Sequence, residues 1–143
     1  MIKIEFPTYQ PKIKNESDKE FIFDEVRKKW VVLTPEEWVR QNFLQYLIQV
    51  KKYPATLIAV EKGLQLGELN KRADIVLYNN TGTPIMIIEC KEMNVTLDEK
   101  VLAQTLRYHI SLPVDHLVIT NGSYTFAFEK KNDNFEMLDT FPL

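Results

Sequence analysis

The sequence predicts an α/β fold, a mixed β-sheet flanked by helices, within a single domain. Segments of strand length and segments of helical periodicity follow one another in the order helix, three strands, helix, strand. The 143 residues include 45% hydrophobic and 27% charged residues, which suits one chain with a buried core. We expect the single domain to span residues 1–143, with its core at about 30–128 and an N-terminal arm of short strands at 1–29.

The first helix is predicted from residue 34 to about residue 52. Thr34 is a favourable N-cap, Pro35 suits the first helical position, and two glutamates follow at the positive end of the helix dipole. Glu37 stands three residues after Thr34, which is the capping-box spacing. Apolar side chains then recur at helical intervals from Val39, and Pro54 lies beyond the expected end.

The remaining elements follow from short apolar runs and turn residues. Strands are predicted at 21–23, 30–32, 55–60, 74–78, 83–90, 116–120 and 124–128, and a second helix at 97–110. The turn signal between residues 79 and 84 joins two of these strands into a hairpin. The aromatic residues Trp30, Trp38, Phe43 and Tyr46 are predicted to belong to the core rather than to a base-stacking platform.

Two charged clusters stand at the open end of this hairpin. Asp74 opens one strand, and the segment Glu89-Cys90-Lys91 closes the other. Because strand side chains alternate, Glu89 and Lys91 share one face and Cys90 points to the other, where it fills the core. A hairpin centred near Thr81 places Asp74 opposite or nearly opposite residues 88–89. Two carboxylates and an ammonium group are what a magnesium-dependent phosphodiester hydrolase requires.

These residues resemble a known family. Asp74 and the later Glu89-x-Lys91 are similar to the D…(D/E)xK signature of the PD-(D/E)XK nuclease superfamily, with Ala73 in place of its proline. Residues 34–41 resemble the acidic motif of the first helix, and Gln104-x3-Tyr108 resembles the QxxxY motif of one branch. The segment 120–122 (Thr-Asn-Gly) is similar to that branch too. Over roughly residues 30–128, the chain resembles the N-terminal nuclease domain of type I restriction enzyme R subunits.

The resemblance implies a restriction-endonuclease-like sandwich that cleaves DNA with Mg²⁺, for which Mn²⁺ can substitute. Asp74, Glu89 and the backbone carbonyl of Cys90 are the implied metal ligands. Lys91 is expected to orient or activate the attacking water and to stabilise developing charge.

The helices contribute further candidates for the site. Glu36 is in phase with Val39, so we expect it to face the sheet and to be the acid that enters the site. Glu37 is expected to cap the helix. The alternative is that both glutamates serve only the helix dipole. Gln104 and Tyr108 lie one helical turn apart and are expected near the attacking water and the DNA backbone. The rim of an ordinary amphipathic helix is the alternative for this pair.

Lys71, Arg72 and Arg107 are the candidate phosphate contacts. A solvated loop is the alternative for the first two, and the net charge of −2 does not favour nucleic-acid binding. Glu61 and Glu68 precede the hairpin, and the sequence does not decide whether they join the site. His109 and His116 are expected to be structural.

Several classes are excluded or disfavoured within these residues. The chain has no apolar run of membrane-spanning length, no zinc-ligand spacing and no glycine-rich phosphate loop, and a lone cysteine suits a reducing cytoplasm. The expected partner is DNA, with a motor or specificity subunit and a homodimer as further candidates. The alternatives are a non-catalytic nucleic-acid-binding or assembly module that retains the fold, and an unrelated α/β interaction domain.

Overall fold

The computed structural model describes the backbone of residues 1–143 and every side chain except that of Leu66. The helices are α1 (Pro35–Gln45) and α2 (Glu99–His109); a small sheet contains β1 (Ile13–Glu16), β2 (Lys19–Asp24) and β3 (Lys29–Val32); a large sheet contains β4 (Ile58–Leu66), β5 (Leu69–Tyr78), β6 (Pro84–Cys90), β7 (His116–Thr120), β8 (Thr125–Lys131) and β9 (Asn134–Leu138). The predicted α/β class is confirmed. No helix among the described residues has the length and apolar character that crossing a membrane requires.

The large sheet is mixed. Its strand order is β4-β5-β6-β7-β8-β9, in which β6 and β7 are parallel and all other neighbours are antiparallel. Parallel neighbours need a crossover connection, and α2 provides it between β6 and β7. The predicted order of helix, three strands, helix and strand is therefore confirmed.

The two helices cover opposite faces of the large sheet. On the α1 face, Val39 and Phe43 pack with Ile75 and Ile88 in one buried cluster. On the α2 face, the partly buried Leu106 and its neighbours pack on a second cluster that includes Val76, Ile87 and Leu117. Burying both faces explains the nearly continuous apolar runs of β6, of β7 and of residues 75–78 in β5.

Helix α1 begins as predicted, because the Thr34 hydroxyl accepts a hydrogen bond of 3.0 Å from the backbone N–H of Glu37. The α-helix ends at Gln45, earlier than predicted, and continues as a π-helix, Tyr46–Val50. The rings of Phe43 in α1 and Tyr46 in the π-helix pack against Phe6 and Phe141, which lie outside the predicted core range. Both chain ends therefore contribute to the core.

Three expectations about the strands and the core need correction. Residues 55–57 form a 3₁₀ turn, and β4 begins only at Ile58. β4 and β5 extend into a long polar hairpin, which apolar alternation did not reveal because residues 61–72 are mostly charged or polar. Trp30 was expected in the core, yet it is 38% exposed on the outer face of the small sheet.

Candidate active site

The β5–β6 hairpin sets the positions of the two candidate metal ligands. Ile75 pairs with Ile88 and Val76 with Ile87, so the same register one residue further places Asp74 across from Glu89. This confirms the predicted pairing of Asp74 with residues 88–89. Both side chains are largely withdrawn from solvent, with exposed fractions of 19% and 14%.

Asp74 occupies the point at which the ladder between β5 and β6 ends. Its Oδ2 accepts a 2.7 Å hydrogen bond from the Cys90 backbone N–H, and its own N–H donates to Glu89 Oε1 over 3.3 Å. Burial, and then the neighbouring Glu89 carboxylate, raise the pKa of Asp74 to about 7. The Cys90 N–H and the guanidinium of Arg40 oppose this increase without cancelling it.

Arg40 of α1 is a site residue that the sequence analysis missed. It is 4% exposed, and its Nη1 donates to Asp74 Oδ1 over 3.1 Å. Its Nε and Nη2 donate to the two carboxylate oxygens of Glu37, both over 2.9 Å, and Nη2 also reaches Glu61 Oε1 at 3.1 Å. The spacing of Glu37 and Arg40, three residues apart in a helix, was the available signal.

The two acids of α1 are placed differently from the expectation. Glu36 is exposed, so its predicted packing against the sheet is wrong; it lies in the first turn, along a cleft of about 590 Å³ that Arg40 and Glu61 also line. Glu37 is buried, and Arg27, Arg40 and Gln41 all donate to its carboxylate. Burial alone raises the pKa of Glu37, but these hydrogen bonds lower it overall.

Glu89 is held from the opposite side by α2. His109 is 1% exposed, and its Nε2 lies 3.1 Å from Glu89 Oε1. With Glu89 ionised, Nε2 carries the proton and donates, which leaves the buried Nδ1 without a partner among the described residues. The sequence analysis treated His109 as structural, and its contact with Glu89 gives it a place in the site.

Lys91, Gln104 and Tyr108 line a second cleft, of about 560 Å³, between α2 and the sheet, and Glu89 and His109 line it as well. The backbone N–H of Lys91 donates to the Thr120 carbonyl over 2.8 Å. Its ammonium group has no ion-pair partner among the side chains that the structure describes. The structure thus brings together the hairpin and helix residues that the sequence singled out separately.

The basic candidates are divided between two places. Lys71 Nζ lies 4.2 Å from the ring centroid of Tyr108, and the Arg72 N–H donates to the Tyr108 hydroxyl over 3.4 Å, so both residues border the second cleft. Arg107 lines a different depression, together with Asp133 and Phe135, so it does not border the second cleft, and its role as a phosphate contact stays a prediction. Of the two undecided acids, Glu61 joins the site through Arg40, while Glu68 lies in the exposed turn of the β4–β5 hairpin.

The donor set is chemically suited to a hard divalent cation. Within the described residues, no group of three or more His, Cys, Asp and Glu side chains is arranged to hold a metal ion. Two carboxylates, Asp74 and Glu89, are adjacent, and the raised pKa of Asp74 reports negative charge that its surroundings do not fully compensate. Burial raises the pKa of the Cys90 thiol well above its usual range, which makes a thiolate nucleophile there unfavourable.

The fold and this carboxylate pair define an α/β domain with a candidate metal centre. The chain belongs to the family described as "Type I restriction enzyme R protein N terminus", whose model matches residues 35–142. This confirms the resemblance to that N-terminal domain and extends it to β9 and Phe141.

None of the proteins with curated descriptions matches the chain. Among solved structures, a chain in "cryoEM structure DrdV-DNA complex" is similar, with a TM-score of 0.49 and 20% sequence identity over 74% of this chain. The similarity covers 10% of that chain, so this chain spans about a tenth of its length.

Proposed function

We propose that this chain is a Mg²⁺-dependent DNA endonuclease domain of the PD-(D/E)XK type. The observation that carries the proposal is the convergence of Asp74 and Glu89 at one strand end, with Lys91 lining the same cleft as Glu89. Membership of a restriction-enzyme R-protein family supports a nuclease role. DNA is the proposed substrate, the cytoplasm the proposed compartment, and a motor or specificity subunit or a second copy the proposed partners.

Asp74 and Glu89 would hold the cation, with the Cys90 carbonyl as the third protein ligand. Mg²⁺ prefers few carboxylates and several waters, which this small donor set allows. When bound, the cation polarises the scissile phosphate and lowers the pKa of a coordinated water; Mn²⁺ can serve in its place. Arg40 and His109 fix the orientation of the two carboxylates, as groups that hydrogen-bond to metal ligands commonly do.

The other cleft residues act on the attacking water and on the phosphate. Lys91 presents an ammonium group on the Glu89 side of the sheet, where it orients the water and stabilises charge that develops on the phosphate. Gln104, exposed on the cleft wall, hydrogen-bonds to the same water or to Lys91. Lys71 and Arg72, beside Tyr108, neutralise the backbone of the incoming DNA.

The test is nicking of supercoiled plasmid DNA with Mg²⁺ or Mn²⁺ by the wild-type chain and by Asp74→Asn, Glu89→Gln and Lys91→Ala. We expect metal-dependent nicking that each substitution reduces about a hundred- to a thousandfold, because removal of one electrostatic catalytic group costs that order of magnitude. Asp139→Asn and Glu136→Gln are matched controls, since both residues are exposed. Nicking that persists in Asp74→Asn would show that this site is not responsible.

The ion pair between Arg40 and Asp74 favours a second candidate, a non-catalytic nucleic-acid-binding module. An arginine 3.1 Å from Asp74 Oδ1 occupies part of the space around the carboxylate without any metal. If the chain is such a binding module, the wild type binds DNA but neither binds Mg²⁺ in calorimetry nor nicks DNA. Metal binding that disappears in Asp74→Asn contradicts this candidate.

A further inference from the structure

The small sheet carries a face that the family match does not include. The match begins at residue 35, whereas β1, β2 and β3 lie between residues 13 and 32. The register pairs Lys14 with Phe21, Phe21 with Val32, and Phe23 with Trp30, so these side chains share one face. We call this face the aromatic platform; it consists of Lys12, Lys14, Phe21, Phe23, Trp30 and Val32.

The opposite face of the small sheet is the one that joins the rest of the domain. Ile22 and Asp24 are both fully buried there. Asp24 accepts hydrogen bonds of 2.7 Å from Arg27 Nε and 2.8 Å from Gln41 Nε2, which connects the sheet to α1. The aromatic platform therefore faces solvent, with Trp30 38% and Val32 43% exposed.

The platform combines aromatic rings with cations. Lys14 Nζ lies 4.6 Å from the ring centroid of Trp30 and 5.9 Å from that of Phe21, and Lys12 Nζ lies 5.7 Å from that of Phe23. Phe23 and Trp30 are in edge-to-face contact, with ring centroids 5.4 Å apart. The one nearby acid, Glu16, is ion-paired with Lys14 at 3.1 Å.

We propose that the aromatic platform binds single-stranded DNA. Rings on a sheet surface stack on unpaired bases, while lysines that cover those rings in the free chain can move to the phosphates. Rings and cations together favour a nucleic-acid strand, because an acidic protein surface would offer no bases to stack and an apolar surface no charge for the lysines. Duplex DNA does not expose base faces, so it cannot use the rings in this way.

The platform is continuous with the candidate active site. Val32 of β3 lines the 590 Å³ cleft together with Glu36, Arg40 and Glu61, and Arg40 contacts Asp74. The platform therefore borders the cleft that contains Arg40, the hydrogen-bond partner of Asp74. The inference deepens the proposed function by adding a substrate-binding surface, but binding at the platform requires neither metal nor cleavage.

The test is anisotropy of a fluorescent twelve-nucleotide oligothymidylate, titrated with the wild-type chain in EDTA, with a duplex of the same length as comparison. We expect Trp30→Ala to weaken single-strand binding at least about fivefold, the lower end of the loss for one stacked base, and Trp30→Phe to restore most of it. Lys14→Ala should reduce the slope of log affinity against log salt by about 0.7. Met137→Ala and Lys131→Ala are the matched controls, because both residues are exposed on the large sheet.

A second readout uses the only two tryptophans of the chain. In a Trp38→Phe background, single-stranded DNA should quench the emission of Trp30. Unchanged affinity for single-stranded DNA in both Trp30→Ala and Lys14→Ala overturns the proposal. A change from dimer in the wild type to monomer in Trp30→Ala also overturns it, because the platform would then be an interface between copies.

The two proposals fail separately in these assays. Plasmid nicking that persists without single-strand binding overturns only the platform. Platform-dependent binding by a chain that never nicks DNA overturns only the nuclease.

Discussion

Replacement of Asp74 by asparagine should stabilise the protein at neutral pH in the absence of metal. The carboxylate lies in the β5–β6 hairpin beside Glu89, and burial followed by that neighbour raises its pKa to about 7. Between pH 3.8, the ordinary pKa of an aspartate, and about pH 7, the folded chain therefore keeps a proton on Asp74. The unfolded chain has already released that proton. Ionisation of Asp74 lowers the stability of the folded state. Asparagine has nearly the same size and cannot ionise, so it avoids this loss of stability.

The magnitude follows from the difference between the two pKa values. At about 1.4 kcal/mol for each pKa unit, the ionised carboxylate costs the folded state at most roughly 4 kcal/mol at pH 7 and above. The amide removes one of the three carboxylate partners of the Arg40 guanidinium and leaves Glu37 and Glu61, and this loss offsets part of the gain. We expect a net increase of about 1–2 kcal/mol at pH 7.5, or roughly 2–8 °C in melting temperature for a chain of this size.

The pH dependence separates this effect from other consequences of the substitution. Arg40 stays charged throughout, so the loss of its contact with the Asp74 carboxylate affects Asp74→Asn at every pH. Stability of the wild type relative to the variant should therefore fall as pH rises from about 4 to about 7 and be constant above. Urea unfolding in EDTA, followed by circular dichroism from pH 4.5 to 8, measures this difference, with the exposed Asp139→Asn as control.

Two outcomes would refute the reasoning. If the wild type and Asp74→Asn show parallel stability curves over this range, Asp74 does not titrate abnormally. If the variant is less stable at pH 7.5, the contacts of the carboxylate with Arg40 and the Cys90 N–H outweigh burial and the repulsion by Glu89.

Three further predictions concern the metal and the two groups that hold the carboxylates. Mg²⁺ at millimolar concentration should raise the melting temperature of the wild type but not of Asp74→Asn. The increase should grow from pH 6 to pH 8, because Asp74 must be ionised to bind the cation. An increase that does not depend on pH contradicts this prediction. Arg40→Met should lower the free energy of unfolding by about 3 kcal/mol in urea titrations, because Glu37 remains buried without its main partner; a loss below about 1 kcal/mol contradicts it. His109→Phe should reduce nicking about 10- to 100-fold, because Glu89 loses its hydrogen-bond donor. The urea midpoint should change little, because the substitution also removes a buried nitrogen that has no partner. Unchanged nicking contradicts a positioning role.

The features that the sequence predicted correctly depend on short-range patterns. The cap at Thr34 involves a residue three positions away, and the β5–β6 register follows from the turn between the two strands to within the one-residue shift between Leu77 and Tyr78. The burial of Cys90 follows from strand alternation next to Glu89. Each of these can be derived without knowing where the rest of the chain lies.

The features that were missed depend on contacts between distant segments. Arg40 meets Asp74 across 34 positions, and His109 meets Glu89 across 20, so neither contact leaves a local pattern. The outer parts of β4 and β5 pair with each other rather than with the core, and their polar side chains carry no apolar alternation. Trp30 was assigned to the core by residue type, but the register of the small sheet places it on the solvent face.

The balance of charge around Asp74 distinguishes a metal site from an inert ion pair. If Arg40 compensated the carboxylate fully, the pKa of Asp74 would lie below its ordinary value, as it does for Glu37, which the same arginine contacts through two nitrogen atoms. Asp74 is largely withdrawn from solvent, faces Glu89 and receives only one of the arginine's nitrogens, and burial followed by the Glu89 charge raises its pKa to about 7. The guanidinium is therefore committed mainly to Glu37, which leaves the Asp74–Glu89 pair with excess negative charge that a divalent cation can neutralise. In the proposed nuclease, Arg40 would keep the site folded before a metal binds, and the cation would supply the positive charge that Arg40 does not.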